Sequence, residues 1–127
     1  MNYDDFSEWV QESDLEGLLS QWDFTPPAGT LRKMLKSSSV AVVAREPGST
    51  RVVGYVAALT DRVVCGYISA LEARPEYRHQ GIGTALLHQV TQRLDVQGIY
   101  LSCAQAMIKF YEAAGFKQVA GMSRRRQ

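Results

Sequence analysis

The chain has 127 residues, 46% hydrophobic and 21% charged, with a formal net charge of +1; this is the composition of one globular domain and excludes wholesale disorder. Its longest apolar runs, residues 40–44 and 52–59, are strand-sized and far short of the ~20 residues that a membrane-spanning helix requires. The near-neutral total conceals a segregation: residues 1–30 hold seven acids and no lysine or arginine, whereas the chain closes on Arg124-Arg125-Arg126. No basic stripe with interleaved aromatics, the pattern that nucleic acid favours, accompanies that basic end.

The start, Met1-Asn2-Tyr3-Asp4-Asp5, has neither the basic residues nor the apolar stretch of a secretory leader, so a cytoplasmic protein is expected. In that compartment Cys65 and Cys103, both in apolar strand-like surroundings, are expected as buried thiols rather than a disulfide. Phe6-Ser7-Glu8-Trp9-Val10 alternates apolar and polar residues and suits a short first strand, with a helical turn as the alternative. Asp14 is placed to cap a helix running through Gln21, with Leu15, Leu18 and Leu19 inward. Pro26-Pro27-Ala28-Gly29 breaks the chain, and Thr30 is placed to cap a second helix carrying Leu31, Met34 and Leu35.

The periodicity then changes. Residues 40–45 and 51–60 are β-branched runs around Pro47-Gly48, which predicts a hairpin, and Asp61-Arg62 turns the chain into a third run over 63–73. Ile82, Leu86, Val90 and Leu94 recur every fourth residue, predicting a helix from Gly81 to about Gln97 with Gly98 as its left-handed stop. A short strand over 99–102, a helix from about Gln105 to Ala114 stopped by Gly115, and a last strand over 116–122 complete the reading. The expected architecture is a single α/β domain spanning residues 1–127.

The most informative stretch is Leu71-Glu72-Ala73-Arg74-Pro75-Glu76-Tyr77-Arg78-His79-Gln80-Gly81-Ile82-Gly83-Thr84. It puts a strand, a turn and two glycines directly ahead of an amphipathic helix. At such a junction the first backbone N–H groups have no helical acceptor and face outward along the positive end of the dipole. That arrangement suits a phosphate or pyrophosphate. A P-loop is disfavoured, because no lysine follows Gly83. A dinucleotide fingerprint is disfavoured too, because Leu86 replaces the third glycine and the next strand offers no acid. A plain tight turn that starts a helix stays open.

Here the chain resembles the GCN5-related N-acetyltransferase family. Arg78-His79-Gln80-Gly81-Ile82-Gly83, led by Pro75-Glu76-Tyr77, matches the pyrophosphate signature Arg/Gln-x-x-Gly-x-Gly/Ala. Tyr111-Glu112-Ala113-Ala114-Gly115-Phe116 matches the second hallmark, Tyr-x-x-x-Gly-Phe. The likeness is close over residues 40–122 and loose before that. It implies the acyl-CoA N-acyltransferase fold, a mixed, mostly antiparallel sheet flanked by helices. It also implies acetyl-CoA as co-substrate, with pantetheine paired to the backbone of Leu71 and Ala73 and pyrophosphate on the amides of His79, Gln80, Gly81, Ile82, Gly83 and Thr84. Arg78 would add a charge-assisted bond. Many relatives carry Asn seven residues before the tyrosine, where this chain has Ala104 beside Gln105. His88 has no neighbour at metal-ligand spacing, and no metal is expected.

The resemblance also assigns chemistry. Tyr111 corresponds to the acid that protonates the departing thiolate, and the alternative is an aromatic packing contact beside Phe110. Glu72, the only carboxylate in the third run, is the candidate base; strict alternation groups it with Ala70 and Ile68, opposite Tyr67, Ser69, Leu71 and Ala73, and the family's bulge in this strand can reverse a side chain. A water relayed through Ser69 or Ser102 competes with it. The expected function is acetyl transfer to a primary amine of a small molecule or peptide, with no nucleic acid or membrane partner and a homodimer as the family's habit. The acidic first third favours a cationic acceptor, while the chain's ending also resembles glucosamine-phosphate acetyltransferases. A non-catalytic acyl-CoA sensor is the alternative, and a protein-binding scaffold leaves the glycine turn without a purpose.

Overall fold

The computed structural model describes residues 1–19 and 26–126. Five strands, β1 (Asn2–Asp5), β2 (Val40–Arg45), β3 (Val52–Thr60), β4 (Cys65–Ala73) and β5 (Gly98–Leu101), form one sheet in chain order. The first three pairings are antiparallel and β4–β5 is parallel. Parallel strands need a crossover, and here it is α2 (Ile82–Arg93). Among the described residues the other α-helices are α1 (Thr30–Ser37) and the short α3 (Ile108–Ala113), the latter preceded by a 3-10 turn at Gln105–Met107.

The sheet is sandwiched between two apolar layers. On one face Ile82, Leu86, Leu87 and Val90 of α2 pack with Val42, Val56 and Ile68. On the other, Leu31 and Leu35 of α1 join Val10, Leu15, Val43, Tyr55 and Ala57. The central strand β3 is buried from Val52 through Ala58, which is why it reads as an unbroken apolar run rather than an alternation. Gly54 lets α2 approach this strand: a Cβ there would meet Leu86 Cδ1 at 3.1 Å and Ile82 Cγ2 at 3.3 Å.

Several expectations need correction. The first strand is Asn2–Asp5, not 6–10: Asn2–Asp5 pairs with β2, Asp4 bonds Arg45 and Asp5 bonds Arg93, whereas residues 7–10 make a turn in which the Val10 N–H donates to the Ser7 carbonyl at 3.1 Å. The expected helix from Asp14 is a single 3-10 turn, Glu12–Leu15, in which the Asp14 carboxylate reaches back to the Gln11 N–H at 2.9 Å; its expected end at Gln21 lies outside the described residues. Gly29 (φ 82°), not Thr30, precedes the first turn of α1, and Thr30 Oγ1 donates to the Pro27 carbonyl at 2.6 Å.

Helix α2 ends at Arg93, yet Leu94 stays buried beyond it, resting 3.1 Å from where a Cβ on Gly66 would lie. Gly98 is therefore not the helix stop but the first residue of β5. Gly115 does take the left-handed stop, at φ 95°. No strand forms over 116–122; Val119 and Met122 are exposed there. A strand exists only where a neighbouring edge takes its hydrogen bonds, and among the described residues none does so for this segment. Both cysteines are exposed rather than buried.

Candidate active site

The pairing of β4 with β5 runs from Cys65↔Gly98 to Ile68↔Leu101 and stops there. Beyond it, β4 continues through Ala73 still paired to β3, while the chain after Leu101 turns away toward α3. Between the diverging strands lies a cleft of about 190 Å³. Ile68, Ser69, Ala70 and Leu71 line one side, and Ser102, Cys103, Ala104, Met107 and Tyr111 the other.

A β-bulge sets which side chains meet the cleft. Ala57 faces Ala70 but Ala58 faces Ile68, so Ser69 has no cross-strand partner. The extra residue reverses the alternation beyond it. Leu71 and Ala73 therefore pack with the α2 layer, whereas Ala70 packs with the α1 layer. Glu72 is carried to the α1 side as well, where its carboxylate accepts from the Tyr55 hydroxyl at 2.9 Å and from the Leu19 N–H at 2.9 and 3.1 Å. Strict alternation, which grouped Glu72 with Ile68, fails at this one residue. Glu72 does not line the cleft, and Tyr111 belongs to the layer on the opposite face of the sheet.

Tyr111 comes from α3 and lines the same cleft as Ser69 of the bulge. Its ring is 9% exposed and stands edge-on to Phe110 at 4.9 Å and to Phe116 at 5.8 Å. Burial, with Cys103 beside it, pushes the phenol's pKa above its ordinary value. The hydroxyl therefore remains protonated well above neutral pH and is a donor. Ser102 Oγ, across the cleft from the bulge, accepts a bond from the Tyr67 hydroxyl at 3.2 Å, and Ser69 Oγ donates to the Ala57 carbonyl at 3.3 Å.

The glycine turn follows the far end of β4. A 3-10 turn at Pro75–Tyr77 leads to His79 and Gly81, both left-handed at φ 63° and 80°. The first helical bond of α2 runs from the Ala85 N–H to the Gly81 carbonyl at 3.0 Å, so the amides of Ile82, Gly83 and Thr84 have no intrahelical acceptor. Arg78, His79, Gln80 and Thr84 are exposed around them, and the Ile82 side chain is buried in the core. Gln80 Nε2 donates to the Glu76 carbonyl at 3.3 Å. The two glycines differ: Gly81 supplies the positive φ, whereas Gly83 is helical and faces Phe110.

Cys103 and Arg74 have structural places that the sequence does not indicate: Cys103 lines the cleft, and Arg74 is buried against the carbonyls of Glu16 and Asp14. Nothing in the local pattern marks Cys103, whose place in the cleft follows from the early end of β5; Gln105, next to Ala104, does not line the cleft. The charge segregation is also partly structural, since Asp4, Asp5 and Glu8 pair with Arg45, Arg93 and Arg32. Among the described residues no group of three or more potential metal ligands occurs, and no helix is long and apolar enough to cross a membrane.

Comparison with known proteins gives a consistent answer. A family model described as "Acetyltransferase (GNAT) family" matches residues 3–116. A Deinococcus radiodurans R1 crystal structure assigned as an acetyltransferase is 32% identical, superposes with a TM-score of 0.91, and the match covers 98% of this chain and 87% of that one. A GNAT family protein from Streptococcus pneumoniae TIGR4, 22% identical with a TM-score of 0.79 over 99% of this chain and 98% of that one, shares the fold. An uncharacterized N-acetyltransferase of Porphyra purpurea is 27% identical over 95 residues, 71% of this chain. The match spans 55% of that curated relative's length.

Proposed function

The chain belongs to the acetyltransferase (GNAT) family, and from that premise we propose that it moves an acetyl group from acetyl-CoA to a primary amine by direct attack in a ternary complex. The observation that carries this reading is the divergence of β4 from β5 beyond Ile68 and Leu101, which leaves an unpaired strand edge, a cleft holding Tyr111 and a glycine turn in succession.

The residues present fit acetyl-CoA. The edge of β4 at Leu71 and Ala73 offers backbone groups to the pantetheine amides in the manner of an added strand. At the turn, a Cβ placed on Gly81 would meet nothing within 4 Å, so an anion has room beside the amides of residues 79–84. Arg78, exposed next to them, supplies a positive charge. When bound, acetyl-CoA supplies a thioester whose acyl carbon accepts the amine.

The chain's own groups divide the remaining work. A backbone N–H between Leu71 and Ala73 polarises the carbonyl oxygen. The Tyr111 hydroxyl gives its proton to the departing sulfur, and its raised pKa keeps that proton in place until then. The amine's proton leaves through water in the open cleft, past Ser69 and Ser102, both of which line it. A cationic amine is the favoured acceptor, because Glu12 and Glu16 remain as exposed acids without ion-pair partners of their own among the described residues.

The test is a panel of amines assayed for CoA release, beside thermal titrations with acetyl-CoA and CoA. Both ligands should raise Tm, since ligand at 100 times Kd stabilises the native state by about 2.7 kcal/mol. No shift with either would overturn the cofactor assignment. Stabilisation without turnover of any amine would replace the enzyme with an acyl-CoA-binding module.

A further inference from the structure

Outside the cleft the fold buries two charges at the end of one strand. Glu72 is 9% exposed and Arg74 4%, and they are the buried charged side chains among the described residues. Taking such groups from water is costly unless their bonds are satisfied, and both are engaged with one stretch of backbone. The Glu72 oxygens accept the Leu19 N–H, and the Arg74 guanidinium donates to the carbonyls of Glu16 and Asp14, the latter at 3.2 Å. Arg74 Nε holds the Val52 carbonyl at 2.7 Å, and Tyr55 holds Glu72, so both clamps are fixed from the sheet side.

The clamped segment takes a conformation that a chain does not adopt unaided. Leu19 sits at φ 70°, where a bulky side chain is strained. Gly17 lies at φ 86°, and a Cβ there would stand 3.1 Å from Arg74 Nη1. The segment lies behind the site rather than in it: Leu18 and Leu19 pack against the same apolar layer as Ala70, and Ala70 lines the cleft.

We propose that Glu72 and Arg74 are positioning residues that hold residues 14–19 against the apolar layer behind Ala70, where the segment borders the acceptor's approach to the cleft, and that Glu72 does this instead of serving as the catalytic base. The proposal rests on the acetyl-transfer reading for its kinetic consequence, but its structural part stands without it. Glu72 has its oxygens turned to Leu19 and Tyr55, away from the face that carries Tyr111.

Two measurements on the purified full chain test it. The first is amide hydrogen exchange at Leu19 in wild type, Glu72→Ala and Glu72→Gln. Exchange should quicken at least about tenfold in Glu72→Ala while β3 amides keep their protection, and Gln, which can still accept the bond, should restore most of it. The second is steady-state kinetics with the best amine. Glu72→Ala should raise the amine KM by about tenfold or more and leave kcat and acetyl-CoA affinity within about threefold, with Gln again restoring most of the loss. Arg74→Lys, which keeps the charge but loses the forked donor, should show the same split and serves if Glu72→Ala does not fold.

A base behaves otherwise: Gln would be as inactive as Ala, kcat would drop by ~10²–10⁴-fold, and the acidic limb of the pH profile would vanish. That outcome, or unchanged exchange at Leu19, overturns the proposal. A wild type that acetylates no amine sinks the enzymatic reading alone, and the exchange result still decides the clamp.

Discussion

Gly83 lies against Phe110, so that a methyl group on the glycine would rest 3.5 Å from Cζ of that ring. This is ordinary contact distance, and the glycine is helical. Gly81, two residues earlier, has open space around it but a φ of 80°. The two glycines of the motif therefore differ: Gly81 sets the direction of the backbone, whereas at Gly83 there is room for a methyl group against Phe110. Gly83→Ala should fold normally and gain up to ~1 kcal/mol from helix propensity. Gly81→Ala should lose about 1–2 kcal/mol from a left-handed alanine and bind CoA more weakly, because the strained turn re-aims its amides. Denaturant melts and CoA titrations of the two variants check this; equal effects would contradict the division.

Tyr111→Phe separates an acid from a packing residue. The ring contacts with Phe110 and Phe116 survive, so Tm should scarcely change. If the hydroxyl is the acid, kcat falls at least ~100-fold with little change in acetyl-CoA affinity. A variant within threefold of wild type would remove Tyr111 from the mechanism.

The pH dependence of that step has a definite sign. The folded phenol titrates above its ordinary value of about 10, so the proton is present throughout the neutral range. Loss of the acid should therefore not appear in kcat below about pH 10. An alkaline limb near pH 8 that disappears in Tyr111→Phe would show the opposite shift.

Asp61 predicts a pH effect on stability instead. Its Oδ1 accepts the N–H groups of Val63, Val64 and Cys65 at 2.8, 2.8 and 3.1 Å, which closes the turn from β3 to β4 and holds the carboxyl below its usual range. A depressed carboxylate stabilises fully above its unfolded pKa of about 4 and loses that contribution as pH falls through the lower folded value. Asp61→Ala should lower Tm at pH 7, with the gap to wild type narrowing progressively below pH 4. A constant gap would mean that the charge is immaterial to the turn.

The exposed thiols give a chemical footprint of the cleft. Cys65 and Cys103 are both exposed, but Cys103 alone lines the cleft. A thiol reagent should modify both in the free protein, and saturating acetyl-CoA should protect Cys103 while Cys65 reacts as before. Equal protection, or none, would move the acyl site elsewhere.

The sequence by itself determined the parts whose physics is local. Periodicity located α1 and the buried face of α2, because a helix with one partner layer must repeat its apolar residues at its own pitch, while unbroken apolar runs located β2 and β3, which are buried on both faces. The glycines at 81 and 115 marked turns, since a positive φ selects for the absent side chain. The order of glycine turn, helix, short strand and Tyr111 was also legible, and it was enough to bring the family into view.

Only the tertiary structure decided the rest. The bulge at Ser69 leaves no local signal, because one unpaired residue is defined by the neighbouring strand; yet it carries Glu72 from the α2 face to the α1 face and gives it Leu19 and Tyr55 as partners. The strand expected at 116–122 has no edge to pair with among the described residues, and Cys103, beyond the end of β5 at Leu101, is exposed. Arg74 binds carbonyls some sixty positions away in the chain. Such contacts depend on where distant backbone lies, which periodicity along the chain does not encode.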